Sequence, residues 1–172
     1  RRQAIFSRAR QAMLVRLNSK RSVSGYERHP NLIKSRPESV LVVVHTQALD
    51  CLLLKRVTPV SFWQSVTGTL RWDETPAQTA AREVQEETGL DTADLIDAQV
   101  QRCFPILPEW RDRYGAGVTE NLEHLWYLRV EDECEIILNF EEHTAYQWLP
   151  LEVAVTTVTS WTNREALERL RA

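Results

Sequence analysis

The sequence predicts an α/β sandwich, and three observations carry that expectation. Two runs rich in β-branched residues and leucine, SVLVVVHT at 39–46 and CLLLKR at 51–56, bracket a short turn and read as strands. The stretch TPAQTAAREVQEETG at 75–89 has a helix start, a helical period and a helix stop. After a further group of strands, two helical patterns at about 151–158 and 161–171 close the chain. At 172 residues, one hydrophobic core is expected, with enough chain to bury it.

The first 36 residues differ in composition from the rest. They hold ten Lys or Arg and one acid, Glu27, whereas residues 37–172 hold eleven basic and twenty-three acidic residues, for a formal net charge of −3. Ile5, Ala9, Met13 and Leu17 fall near one helical face among arginines. A chain that begins with Arg is expected to be a fragment, a processed form or an over-extended frame, and residues 1–36 to be a basic, peripheral N-terminal extension. Arg-rich, Ser-containing and acid-poor is also the composition of an organellar transit peptide, or of a basic arm that touches phosphates.

Ser39–Thr46 and Cys51–Arg56 are the first two expected strands, and Trp63–Thr67 is a short third one leading into Gly68. The helix at about 75–88 has Thr75 as N-cap, Pro76 at its first position, Gln78 completing a Thr-x-x-Gln capping box, and Gly89 as a left-handed stop. Ala77, Ala80, Ala81 and Val84 share one arc of this helix and read as its core face. Leu95–Phe104 reads as a strand, and Pro105–Gly117, with two Pro and two Gly, as a long loop of the kind that is often functional. Leu122–Val130 and Glu135–Phe140 read as strands, followed by a short one at Tyr146–Leu149. Thr162 and Glu165 form a capping box for the last helix.

Composition narrows the function. An acidic body without a basic stripe argues against nucleic acid as the main ligand. No apolar run approaches the length of a membrane span. Cys51, Cys103 and Cys134 share no short spacing and read as reduced core thiols of a cytosolic compartment. His29, His45, His124 and His143 lack ligand spacing among themselves and read as surface or satisfied histidines, with His143 adjacent to the site at most.

The carboxylates of the first helix carry the chemistry. At about 100° per residue, with Glu83 at zero, Glu87 lies about 40° to one side and Glu86 about 60° to the other. Like charges on one arc repel unless something positive lies between them, and carboxylate oxygens at this density suit a hard divalent cation such as Mg2+ or Mn2+. A solvated acidic helix with pairs such as Arg82–Glu86 accounts for a lone Glu-Glu pair. It does not account for Gly68, Glu74, Arg82 and Gly89 arriving together at these separations.

Residues 68–90 match the Nudix box, G-x5-E-x7-R-E-U-x-E-E-x-G-U with U aliphatic, at Gly68, Glu74, Arg82, Glu83, Val84, Glu86, Glu87, Gly89 and Leu90. FWQSVTG at 62–68, RYGAGVTEN at 113–121, EEHTAYQWL at 141–149 and SWTNREAL at 160–167 resemble one branch of that family. These are the bacterial pyrophosphohydrolases of dihydroneopterin triphosphate, also described as acting on dATP. The resemblance covers roughly residues 36–171. It implies an α/β/α sandwich with a mixed sheet, a loop-helix-loop catalytic box and a hydrolase domain at 37–172.

The resemblance also implies roles for residues. Glu83, Glu86 and Glu87 become the catalytic carboxylates and metal ligands, joined by the Gly68 carbonyl. Glu74 and Arg82 become an ion pair that orients the helix. Glu142 becomes a distant metal ligand, with Glu123 a weaker competitor, although Glu141-Glu142 also reads as a plain polar turn. Arg56, Thr67 and Ser160 become phosphate contacts, with strand-end solvation or helix capping as their ordinary uses. Phe104, Pro105, Ile106 and Leu107 become a wall for an aromatic ring, or plain core. The family's basic residue before the first strand is replaced by Ser35, with Lys34 beside it.

The implied activity is divalent-metal-dependent conversion of dihydroneopterin triphosphate to its monophosphate and pyrophosphate, in folate biosynthesis. The alternatives are dATP, another nucleoside triphosphate or a dinucleoside polyphosphate as substrate, or a non-catalytic module of the same fold. The expected partner is a small-molecule triphosphate, with no nucleic acid or membrane, and the chain acts as a monomer or weak dimer.

Overall fold

A computed structural model describes residues 34–171 of the chain. Readings made above for residues 1–33 lie outside the described residues. Seven strands form one mixed sheet: β1 (Glu38–Thr46), β2 (Asp50–Arg56), β3 (Trp63–Gln64), β4 (Val66–Thr69), β5 (Leu95–Pro105), β6 (Glu120–Val130) and β7 (His143–Pro150). The order is β3-β2-β1-β6-β5, with β4 paired to β1 and β7 to β2. β1 runs parallel to β6 along its whole length, and every other pairing is antiparallel. Helix α1 (Pro76–Thr88) covers one face, and α2 (Leu151–Thr157) and α3 (Trp161–Glu168) cover the other.

The apolar run of β1 is the hinge of this architecture. Side chains alternate along a strand, so Val40, Val42 and Val44 point to the face of α1, while Leu41 and Val43 point to the face of α2 and α3. A strand buried on both faces needs apolar residues at every position, and SVLVVVHT supplies them. Among the described residues, no helix is long and apolar enough to cross a membrane.

The α/β sandwich is as expected, and several elements differ from the sequence reading. Trp63–Thr67 is divided at Ser65, whose amide donates to Asn163 Oδ1 at 2.7 Å and so ties this junction to α3. The long loop contains a 3-10 helix at Pro108–Arg113, and the last helix ends at Glu168 in a 3-10 turn, Arg169–Arg171. Glu135–Phe140 is not a strand. The segment passes over the end of α1, where the Ile137 amide donates to the Thr88 carbonyl at 3.0 Å and the Ile136 amide to Tyr146 Oη at 3.4 Å. Two of its backbone donors are met by a helix end and a side chain, so Ile136 and Leu138 pack on the core without a neighbouring strand, while Ile137 and Phe140 are exposed. Cys51 is buried, but Cys103 and Cys134 are exposed; both lie at solvent-facing positions and not in the core.

Candidate metal and substrate site

α1 starts and stops where its capping residues dictate. Thr75 Oγ1 accepts from the Gln78 amide, and the Gln78 side chain accepts from the Thr75 amide, so two otherwise unpaired donors are satisfied. Gly89 ends the helix at φ 73°. The buried arc, however, is not the alanine face. Ala80 and Val84 are fully buried, but Ala77 is exposed and Ala81 half-buried. Thr79, Glu83, Glu87 and Thr88 are buried instead. The helix is thus rotated so that two of its carboxylates face the protein.

One guanidinium answers most of that negative charge. Arg82 Nε and Nη2 donate to Glu74 Oε1 and Oε2 at 2.7 and 2.8 Å. Arg82 Nη1 donates to Glu83 Oε1 at 2.5 Å and to Glu86 Oε2 at 3.2 Å, and Nη2 also reaches the Thr69 carbonyl at 3.2 Å. Glu74 further accepts from Thr79 Oγ1 and the Arg71 amide at 2.8 and 3.0 Å. The Arg82 hydrogen bonds hold its carboxyl down at about 2. Glu83 is pushed the other way, up to about 7, by burial, against the pull of Arg82 and with the charges of Glu87 and Glu86 adding. Glu86 is half-exposed, with Arg71 Nη2 3.6 Å from Oε1.

Gly68 is dictated by contact. A Cβ at this position would lie 1.9 Å from Glu83 Cδ and 2.0 Å from its Oε1. Glycine is the residue that lets β4 approach the Glu83 carboxylate so closely.

Glu87 differs from its neighbours. It is 1% exposed, and neither carboxylate oxygen has a hydrogen-bond partner. His143 Nε2 lies 3.2 Å from Glu87 Oε1, and His143 is itself 0% exposed with no other partner for either ring nitrogen. Burial raises the Glu87 carboxyl above the ordinary carboxylate range, with His143 opposing and Glu142 adding to the rise. One ligand atom from each of Glu87, Glu142 and His143 lies within 4.8 Å of the others. A buried carboxylate lacking donors, beside an exposed carboxylate and an imidazole, fits a divalent cation. Carboxylate oxygens suit Mg2+ or Mn2+. His143 is thus adjacent to the site, the most the sequence reading allowed it, and is neither a surface residue nor one satisfied elsewhere.

The other sequence candidates are distributed unevenly. Glu142 and Glu141 both stand on an exposed turn, where the Glu142 carbonyl accepts from the Val57 amide at 2.8 Å and Asn139 Nδ2 donates to Glu142 Oε1 at 3.2 Å. Arg56 lies opposite His143 at a register shift between β2 and β7, with Nε donating to the Thr58 carbonyl at 2.8 Å. Thr67 directly precedes Gly68, and its hydroxyl accepts from Gln64 Nε2 at 3.0 Å. Phe104 is half-buried, Pro105 and Leu107 are exposed, and Ile106 is buried. The C-terminal end of β5 reaches the end of the sheet where β1 begins and Gly68 lies, since Phe104 pairs with Asn121, Leu122 with Glu38 and Val40 with Gly68. Ser160 caps α3, accepting from the Asn163 amide at 3.2 Å. Lys34 Nζ and the Ser35 amide donate to the carbonyls of Asp112 and Arg113 at 2.8 and 2.7 Å.

Glu123 is not a metal competitor. It shares its strand face with Leu125 and Tyr127, which pack toward α2 and α3 on the side of the sheet away from α1. Its surroundings are Arg102, Thr162, Glu165 and Arg169. Burial pushes its carboxyl up to about 7. A carboxyl raised on folding contributes stability below its ordinary value near 4.5 and loses that contribution as pH rises through about 7. Glu123→Gln is therefore expected to gain stability relative to the wild type at pH 8, by about 1–3 kcal/mol, and little at pH 4.5. Chemical denaturation at the two pH values checks this, and an equal effect at both would show that Glu123 is not protonated by burial.

A recess of about 570 Å3 lies elsewhere and is lined by Asp50, Glu131, Asp132 and Glu133 with Thr46, Gln47 and Ala48. Four carboxylates without a cationic side chain make it repellent to a polyphosphate.

Residues 35–170 match the profile of the NUDIX domain. The chain is 41% identical over 142 residues to dihydroneopterin triphosphate diphosphatase of Escherichia coli strain K12, covering 80% of this chain and 93% of that protein. It is 39% identical over 137 residues to the protein of the same name from Haemophilus influenzae, covering 77% and 85%. The solved structure of the E. coli dihydroneopterin triphosphate pyrophosphohydrolase superposes with a TM-score of 0.75 at 40% identity, covering 81% of this chain and 99% of that one.

Proposed function

The chain belongs to the NUDIX family, and we propose that the phosphoric anhydride it hydrolyses is that of dihydroneopterin triphosphate, released as the monophosphate and pyrophosphate. The observation that carries hydrolysis is the buried Glu87 carboxylate without hydrogen-bond donors, in reach of Glu142 and beside a complete set of motif carboxylates. A binding module has no use for that arrangement, since it costs stability when no cation answers it. The substrate follows from identity of 39–41% over most of the chain to two proteins named for it. The activity lies in residues 37–172.

Glu87 and Glu142 would hold a divalent cation, Mg2+ or Mn2+, with Glu83, Glu86 and the Gly68 carbonyl adjacent. When bound, it would supply positive charge against the phosphate oxygens. Arg82 keeps Glu83 and Glu86 fixed, while Glu74, held ionised by Arg82, keeps the guanidinium in place. Arg56, Thr67 and Ser160 hold the triphosphate, and Phe104, Pro105 and Leu107 present a surface to the ring, with Ile106 packed beneath. Water adds to phosphorus, the P–O bond to pyrophosphate breaks, and the water's proton passes to a carboxylate of the site.

Pyrophosphate release from dihydroneopterin triphosphate and dATP, and nucleotide release from a dinucleoside tetraphosphate, all at equal concentration, test the substrate. The highest kcat/KM is expected for the pterin, and preference for either nucleotide would replace this reading. Glu142→Gln is expected to lower kcat and kcat/KM together by about tenfold or more with little change in Tm, whereas Glu141→Gln stays within about twofold. The two residues share a turn, so their difference comes from which carboxylate reaches Glu87. Equal small effects would return both to the role of a polar turn.

A further inference from the structure

Beneath the exposed Glu142, the chain places an imidazole that the family motif does not contain. His143 opens β7, its amide donates to the Asn139 carbonyl at 2.9 Å, and the preceding carbonyl accepts from the Val57 amide at 2.8 Å. The backbone that carries the ring is therefore pinned on both sides. The ring is fully buried against the fully buried Glu87, with Nε2 3.2 Å from Oε1, and all four of their polar side-chain atoms are unpaired. Two groups that each lack a partner, and that lie at hydrogen-bond distance from each other, are complementary.

We propose that His143 is a positioning residue for Glu87: Nε2–H donates to Oε1, fixes the carboxylate, and leaves Oε2 for the cation. This rests on the reading of Glu87 and Glu142 as metal ligands. Burial argues for positioning over ligation. A cation that meets a phosphate from solvent must lie toward the exposed Glu142, and the His143 ring is 0% exposed. Liganding carboxylates are commonly held by such a second partner, whose loss weakens metal binding. Two consecutive residues of one strand start thus serve one centre. Glu142 reaches the cation, and His143 holds the ligand that α1 contributes.

Mn2+ binding to the full chain without substrate, followed by electron paramagnetic resonance, tests this. His143→Leu keeps the bulk and removes the donor, and is expected to weaken Mn2+ binding by about 10–100-fold. His143→Gln, whose amide reaches close to the position of Nε2, is expected to recover most of the affinity. Unchanged affinity in a folded His143→Leu protein would reduce the ring to core packing. Spin-echo modulation from a ring nitrogen bound to Mn2+ would make His143 a ligand and overturn positioning. Should His143→Leu fail to fold, the ring nitrogens of the wild type decide by NMR: a proton on Nε2 is expected, and a proton only on Nδ1 would overturn the proposal. Failure of the underlying metal reading looks different. In that case the wild type binds no Mn2+ that Glu87→Gln removes.

Discussion

Glu87→Gln is expected to lower kcat by about a hundredfold or more and, in the same protein, to raise Tm at pH 8 without metal. Even partners of metal ligands cost 10–100-fold when lost, and a ligand should cost at least as much. The rise in Tm has a separate cause. The Glu87 carboxylate is 1% exposed and is raised above the ordinary carboxylate range by burial, which outweighs the opposing pull of His143. Its contribution to stability is therefore present at low pH and lost as pH rises through the folded value. A neutral amide of the same shape removes that loss, and each kcal/mol regained is worth about 2–4 °C in a protein of this size. Near pH 4, where Glu87 is protonated in both states, the two proteins should melt alike. Added Mg2+ should stabilise the wild type and not the variant. Thermal unfolding with and without Mg2+, alongside turnover, separates the two effects. Full turnover at unchanged metal dependence would remove Glu87 from the metal site.

Gly68→Ala is expected to lower stability by about 1–3 kcal/mol and to depress kcat more than tenfold. The added Cβ would stand 1.9, 2.0 and 2.1 Å from Cδ, Oε1 and Cγ of Glu83. Glu83 must then swing away, and its 2.5 Å bond to Arg82 Nη1 breaks. Arg82 also holds Glu74 and Glu86, so the displacement reaches the rest of the carboxylate network. Gly115 is the control, since a Cβ there meets only Val118 Cγ2 at 3.8 Å. Gly115→Ala should change stability by less than about 0.5 kcal/mol. Pairing Gly68→Ala with Glu83→Ala should recover stability but not turnover. A Gly68→Ala protein with unchanged Tm and kcat would mean that β4 and α1 do not approach this closely.

The parts of the site legible in the sequence are those whose geometry is local. Thr75, Gln78 and Gly89 act within a few residues of themselves, so the limits of α1 follow from propensity and capping alone. The common arc of Glu83, Glu86 and Glu87 follows from helical period, and the spacing of Gly68, Glu74 and Arg82 is recognisable as one motif. Even here the rotation of the helix was not legible. The arc from Thr79 to Thr88 turned inward, taking Glu87 with it and leaving Ala77 outside, because the sheet decides which arc is covered.

Elsewhere pattern and environment part. Glu135–Phe140 carries a strand-like apolar content, but pairing needs a neighbour, and the nearest groups are the end of α1 and Tyr146. Cys103 and Cys134 have the composition of core residues and solvent-exposed places. Glu123 and Glu142 look alike as acids after the motif, yet strand alternation sends Glu123 toward α3, and the turn before β7 brings Glu142 to Glu87.

By itself, then, the sequence determined the α/β class, the capped helix and the carboxylate motif, because each is written in local periodicity, capping residues and fixed spacing along the chain. Only the tertiary structure decided that Glu87 is the buried member, that Glu142 and not Glu123 joins it, and that His143 lies against it. These depend on the register of β7 against β2 and on the close approach of β4 to α1. A one-residue shift in that register would send His143 to the other face of the sheet, and nothing within His143's own neighbourhood in the sequence specifies it.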